Sequence, residues 1–250
     1  MNQPPTRTVF FVSDQTGVTA ETVGHSLLTQ FEGLNFRPVT LPFVSTLVRE
    51  AERDIVKRSS ALFLDFFDAF VTPLESELGV PSSHAQGRAH GMFDLTSYMT
   101  RIDATNFALA NDDGGRVQDY DRADVVLIGV SRSGKTPTCL YLALHYGIYA
   151  ANFPLTEEDL DSGQLPAPVR NYTAKLFGLT IEAERLQQIR QARRPDSRYS
   201  SAQQVNFELR AAERLYARFN VPHADTTHCS VEEISSRILQ LTGVTRRLRP

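Results

Sequence analysis

Lysine is scarce in this chain, with only Lys57, Lys135 and Lys175 among 26 basic residues. Cysteine is scarcer still. Cys139 and Cys229 are the only two, which excludes a disulfide framework and leaves both as reduced core residues. A net charge of −3 gives no general pull toward nucleic acid or an anionic membrane, so any phosphate chemistry must come from local basic groups. No basic-then-apolar leader opens the sequence, and no apolar run approaches the roughly 20 residues of a membrane span. The expected location is the cytoplasm, with no nucleic acid and no membrane among the partners. What remains, 250 residues of which 41% are hydrophobic, suits one large globular domain or two modest ones.

One of the three lysines stands in Gly129-Val-Ser-Arg-Ser-Gly-Lys-Thr136, which satisfies the phosphate-loop pattern G-x-x-x-x-G-K-[ST] at every fixed position. With this composition a chance match is on the order of a few per thousand. The glycines let backbone N–H groups turn inward around a phosphate, Lys135 neutralises the outer phosphates, and the Thr136 hydroxyl is placed to ligate Mg²⁺. Gly129, Val130, Ser131, Arg132, Ser133, Gly134, Lys135 and Thr136 are therefore the candidate nucleotide ligands. Their context fits: Asp124 to Val130 reads as a short buried strand, Pro137 to Tyr146 as a helix, and Gly147 as its stop. The helix N-terminus then presents free N–H groups to the anion.

Upstream, Thr8 to Ser13 reads as a strand, Asp14 to Gly17 as a polar turn, and a helix with Val23, Leu27 and Phe31 on one face follows. Thr19 is placed to cap that helix. Ser13, Asp14 and Thr16 read either as a capped turn or as a second anion or metal site. Phe36 to Val44 is extended, and Val48 to Leu78 reads as helical, with Leu62, Phe63, Phe66, Phe67 and Phe70 as a packing face. A looser stretch holds His84, Arg88 and His90. A helical segment with Tyr98, Arg101, Ile102 and Phe107 comes next, then Asn111-Asp-Asp-Gly-Gly115. Arg88, His90 or Arg101 could hold a second phosphate, and Asp112 or Asp113 could serve as a general base or Mg²⁺ ligand; a plain loop tip explains the acid pair equally well.

Beyond the phosphate loop, Ile148 to Phe153 and Leu176 to Ile181 read as strands. Thr156 caps an acidic turn, and Ser230 to Glu233 forms a capping box. Residues 181 to 219 are mostly helical and arginine-rich with a break at Pro195, so Arg194 and Arg198 are candidates for a lid over the transferred phosphate. His228 and Cys229 have no partner pair at metal-ligand spacing, which argues against zinc. The alternation of strands and helices predicts an α/β fold with a parallel sheet. The expected boundary near Gly114 to Asp121 separates a smaller α/β regulatory or partner-binding domain, 1–118, from a P-loop kinase-like nucleotide-binding domain, 119–250.

Val9-Phe-Phe-Val-Ser-Asp-Gln-Thr-Gly-Val-Thr-Ala-Glu-Thr22, Leu41-Pro-Phe-Val44, Arg88-Ala-His-Gly91, Asp112-Asp-Gly114, Gly129 to Thr138, Ala151-Asn-Phe-Pro154, Lys175-Leu-Phe-Gly-Leu179 and Ser230-Val-Glu-Glu-Ile234 together resemble the bacterial phosphoenolpyruvate synthase regulatory proteins. Their relatives regulate pyruvate, phosphate dikinase. The resemblance runs over nearly the whole chain. It implies a bifunctional serine/threonine kinase and phosphorylase. One activity moves phosphate from ADP to a threonine of phosphoenolpyruvate synthase and inactivates it; the other removes that phosphate with inorganic phosphate and releases pyrophosphate. ADP, Mg²⁺ and inorganic phosphate are the implied cofactor and co-substrates, with ADP on Gly129 to Thr136 and Thr136 as the metal ligand.

Two departures stand out. Gln15 replaces a glycine usual in the family, and the stretch after Val44 looks short by a strand and a helix. Loss of a strand from inside a sheet would be costly, which favours a segment missing from the sequence. The residues alone leave a regulator of the dikinase, a small-metabolite kinase and a nucleotide-sensing adaptor open, and a homodimer stays among the options.

Overall fold

The computed structural model describes residues 6–31, 33–44, 61–82 and 95–248. By backbone proximity the chain falls into two units, Met1–Gly91 and Met92–Pro250.

In the first unit β1 (Thr6–Val12) and β2 (Asn35–Leu41) pair in parallel, Thr6 opposite Asn35 through Val12 opposite Leu41. The connection is α1 (Val18–Leu28), so the predicted strand, turn and helix are present as a βαβ crossover. Gly17, not Thr19, is the N-cap. It has a left-handed φ of 83° and Thr19 lies inside the helix. Gly24 lets α1 approach the sheet, because a Cβ there would stand 2.2 Å from the Phe11 ring. Gln15 is not among the positive-φ residues; its carbonyl accepts from the Phe43 N–H at 2.9 Å, so this turn does not need glycine's freedom at that position. The helix expected over Val48 to Leu78 is observed as α2 (Phe66–Leu78), residues 61–65 being irregular. The part from 48 to 60 lies outside the described residues.

The second unit starts earlier than the boundary expected near Gly114 to Asp121. Helix α3 (Leu95–Ala110) belongs to it because Ala104 and Ala108 bury against Cys139, Leu142 and Ala143. A 3₁₀ turn, Asp112–Gly114, and a second, Val117–Arg122, lead into β3 (Val125–Gly129). Then follow α4 (Lys135–Tyr146), β4 (Ala150–Pro154), the short α5 (Glu157–Ser162), β5 (Leu176–Thr180), α6 (Ala183–Arg193), α7 (Ala202–Arg218), β6 (His223–Asp225) and α8 (Val231–Thr242). Both capping boxes expected from the sequence form, at Thr156 with Asp159 and at Ser230 with Glu233.

The sheet is wholly parallel, in the order β4-β3-β5-β6. Both its faces are covered, which is why β3 and β5 are buried along their whole length. Alternate residues serve opposite cores: Val126 and Ile128 pack with Leu186, Val205 and Tyr216, while Val125 and Leu127 pack with Leu142, Ile234 and Ile238. From β3 the chain moves to one neighbour and then returns to the other side of β3. The order therefore reverses at β3, and the crevice outside the carboxyl ends of such strands is where ligands sit in doubly wound sheets.

At that end β3 and β5 part, and the fully buried Tyr216 hydroxyl donates to the carbonyls of Ile128 (3.1 Å) and Leu179 (3.2 Å). Tyr216→Phe should remove the hydroxyl that links the two carbonyls and lower stability by about 1–2 kcal/mol. Urea unfolding measures this; a loss too small to resolve would mean the two strands do not depend on that bridge.

Candidate functional site

The phosphate-loop sequence occupies this reversal point. Gly129 ends β3, and a Cβ on it would meet the Leu179 carbonyl at 2.7 Å and Ser133 Oγ at 2.8 Å. Arg132 and Gly134 take left-handed backbone angles, φ 75° and 91°. Gly134 is the N-cap of α4, with no side chain capping it. Among the described residues nothing accepts from the N–H groups of Ser131, Arg132, Gly134, Lys135 or Thr136. A loop of unpaired donors at a helix N-terminus is a ready anion cradle.

Lys135 is 5% exposed and its ammonium donates to the carbonyls of Gly129 and Val130, both at 3.0 Å. Burial is the main cause that brings its pKa down to about 8, against the pull of Asp113, Cys139 and Asp112; Arg190 adds a further lowering. Near that pH a good share of empty sites hold a neutral lysine.

The acid pair joins this loop. The Thr136 hydroxyl donates to Asp112 Oδ1 at 2.7 Å, and Asn152 Nδ2 donates to the same oxygen at 2.6 Å. Asn152, fully buried on β4, also accepts from the Asp113 N–H at 3.0 Å and so fixes the turn that carries both acids. Asp113 has a left-handed φ of 45° and is exposed. Asp112 and Asp113 thus sit on a turn tied to Thr136 and to β4.

No cluster of three or more His, Cys, Asp or Glu side chains suited to a metal occurs among the described residues. A Mg²⁺ here would have Thr136 and Asp112 as its protein ligands, and such ions are commonly held by one or two carboxylates with phosphate oxygens completing the shell. The donor set fits that arrangement.

Arg101, Arg194 and Arg198 lie elsewhere. Arg101 is exposed on α3, and the nine residues from it to Ala110 put it about 13 Å along the helix axis before the acid turn. Arg88 and His90 lie outside the described residues, as does His84. Arg198 pairs with Glu157 on the surface, and Arg194 is exposed.

Among the described residues, the arginine outside the loop that reaches it is Arg190. It is fully buried, paired with Glu208 at 2.6 Å, stacked on the Tyr199 ring at 4.3 Å, and donates to the Ser131 carbonyl at 3.1 Å. In the sequence it was one arginine among several. Asn152 had a clearer signal, a polar residue inside an apolar strand.

Comparison with known proteins identifies a family. A kinase/pyrophosphorylase family model matches residues 9–47 and 43–239. The chain belongs to this family. It is 49% identical over 270 residues to a protein of Alcanivorax borkumensis, with 97% of this chain and 99% of the relative covered. It is 51% identical over 269 residues to one of Xanthomonas campestris pv. campestris, covering 97% and 98%, and 48% identical over 270 residues to one of Stutzerimonas stutzeri, covering 97% and 99%. All three relatives are named for regulation of phosphoenolpyruvate synthase. An alignment of 270 positions against a 250-residue chain leaves at least 20 positions without a counterpart here. The family match breaks at residues 43–47, where the sequence itself looks short. Among the described residues no helix is long and apolar enough to cross a membrane.

The lysine supplies a pH test. Its pKa is about 8 in the empty site, and a bound anion raises it again. Sulfate, which carries no titrating proton of its own in this range, should therefore bind with uptake of about half a proton at pH 8, little uptake at pH 6.5, and falling affinity as pH rises above 8. Calorimetry in two buffers of different ionisation enthalpy measures the uptake. Sulfate binding with no proton uptake at pH 8 would show that Lys135 does not face the anion.

Proposed function

We propose that this protein is a bifunctional regulator of phosphoenolpyruvate synthase. It transfers the β-phosphate of ADP to a threonine of the synthase, leaving AMP and an inactive enzyme. It also removes that phosphate by attack of inorganic phosphate, releasing pyrophosphate. The observation that carries the reading is the contact between Thr136 and Asp112, which places a carboxylate beside the hydroxyl of a phosphate loop. Family membership and the names of the relatives point the same way.

Phosphoryl transfer asks a protein mainly for positioning and for charge opposite the developing negative charge. The unpaired N–H groups of the loop hold the outer phosphate of ADP, and Lys135 exchanges its two carbonyl acceptors for phosphate oxygens. Thr136 and Asp112 would hold a Mg²⁺ ion, which when bound would supply electrostatic stabilisation of the transferring group.

The two acids then divide the work. Asp112 Oδ1 already receives two hydrogen bonds, which suits a fixed metal or positioning ligand. The Asp113 carboxylate has no hydrogen-bond donor among the described residues, while its backbone is held by Asn152. It is the freer acceptor for the threonine hydroxyl proton. By sequence alone Arg88, His90 or Arg101 is the candidate for binding inorganic phosphate, and the first unit the candidate for partner binding.

Intact-mass measurement of phosphoenolpyruvate synthase incubated with the protein and Mg²⁺ tests this. One phosphate should appear with ADP and not with ATP, and disappear on adding inorganic phosphate as pyrophosphate forms. Lys135→Met should abolish the gain. Asp113→Asn should lower kcat by about a hundredfold or more with ADP affinity kept, whereas Asp112→Asn should raise the Mg²⁺ concentration required. No mass change with either nucleotide on the synthase, followed by a gain on pyruvate, phosphate dikinase, would reassign the partner.

A further inference from the structure

A phosphate loop needs its carbonyl oxygens turned away from the anion. Here donors from two other elements hold two of those carbonyls. Arg190 on α6 donates to the Ser131 carbonyl at 3.1 Å. Thr226, just after β6, shares its hydroxyl proton between the carbonyls of Ser133 (3.3 Å) and Thr180 (3.0 Å). In a trans peptide the C=O of one residue and the N–H of the next point in opposite directions. Holding the Ser131 and Ser133 carbonyls outward therefore aims the N–H groups of Arg132 and Gly134 the other way. Neither N–H has an acceptor among the described residues, and both residues have a left-handed φ, a conformation from which backbone anion nests are built.

The first holder is itself tightly held. Arg190 is fully buried, pairs with Glu208 at 2.6 Å, donates to the Tyr199 carbonyl at 3.1 Å and lies over the Tyr199 ring. The Tyr199 hydroxyl shares a 2.9 Å hydrogen bond with the Ser131 hydroxyl, a second tie to the same residue of the loop. Thr226 is 9% exposed. Neither residue belongs to the phosphate-loop pattern, and they come from opposite sides of α7 in the sequence.

We propose that Arg190 and Thr226 are positioning residues that set the peptide planes of the phosphate loop, Arg190 aiming the Arg132 N–H and Thr226 the Gly134 N–H at the bound anion. The inference rests on the functional reading above only in requiring that an anion fills the loop.

Amide NMR on ¹⁵N-labelled protein tests it, with inorganic pyrophosphate as the first probe and Mg²⁺-ADP as the second. In the unsubstituted protein pyrophosphate should move both the Arg132 and the Gly134 amide protons downfield. In Arg190→Lys the Arg132 shift should be lost and the Gly134 shift kept, with pyrophosphate bound about tenfold more weakly. Thr226→Val, nearly the same shape without the hydroxyl, should show the mirror pattern and decides the matter if Arg190→Lys does not fold. A purely structural role would lower the melting temperature and leave both shifts intact in the folded molecules, which would overturn the proposal. Amides that answer pyrophosphate and not ADP would keep the positioning role and remove ADP as the donor; amides that answer neither would overturn both.

Discussion

The hydrogen bond between the Thr136 hydroxyl and Asp112 is the constraint on which the site depends. Thr136 stands at the start of α4, directly after the loop. Asp112 comes from a 3₁₀ turn upstream of β3 and is brought back to the loop by α3. Without Asn152 on the neighbouring strand the turn would lack its buried anchor, since one side chain bonds both the Asp112 carboxylate and the Asp113 backbone. A single buried amide thus ties the acid pair to the sheet that carries the loop.

The sheet supplies the place for this arrangement. Its order turns at β3, so β3 has one neighbour on either side and its loop opens onto the reversal point. Two cores clamp the strands from both faces, which gives rigid support to a loop that must itself leave N–H groups unpaired. Unpaired backbone donors and a buried lysine are unfavourable in an empty protein. The packed sheet beneath them holds that arrangement in place, and an anion relieves it.

Local features were legible in the sequence. The phosphate loop, the strand before it, the helix after it, the glycine stop at Gly147 and the capping boxes at Thr156 and Ser230 depend on residues within a few positions of each other. Gly147 indeed has a left-handed φ of 65°. The domain boundary was not legible in the same way. Gly114 and Gly115 look like a linker, yet α3 before them buries Ala104, Phe107 and Ala108 in the second unit, and only the packing partners reveal this.

The arginines show the same division. Composition placed several of them between Ile181 and Phe219, and helical spacing could not say which one turns inward. Tertiary structure chose Arg190, by burying it against Glu208 and Tyr199 beside Ser131. It also brought Thr226 to Ser133 across 93 positions of chain. What the sequence determined by itself was the local order of strand, glycine-rich loop and capped helix, because each is set by residues a few positions apart. What only the tertiary structure decided was which distant side chains orient that loop, because hydrogen bonds over such separations exist only after the sheet has closed the distance.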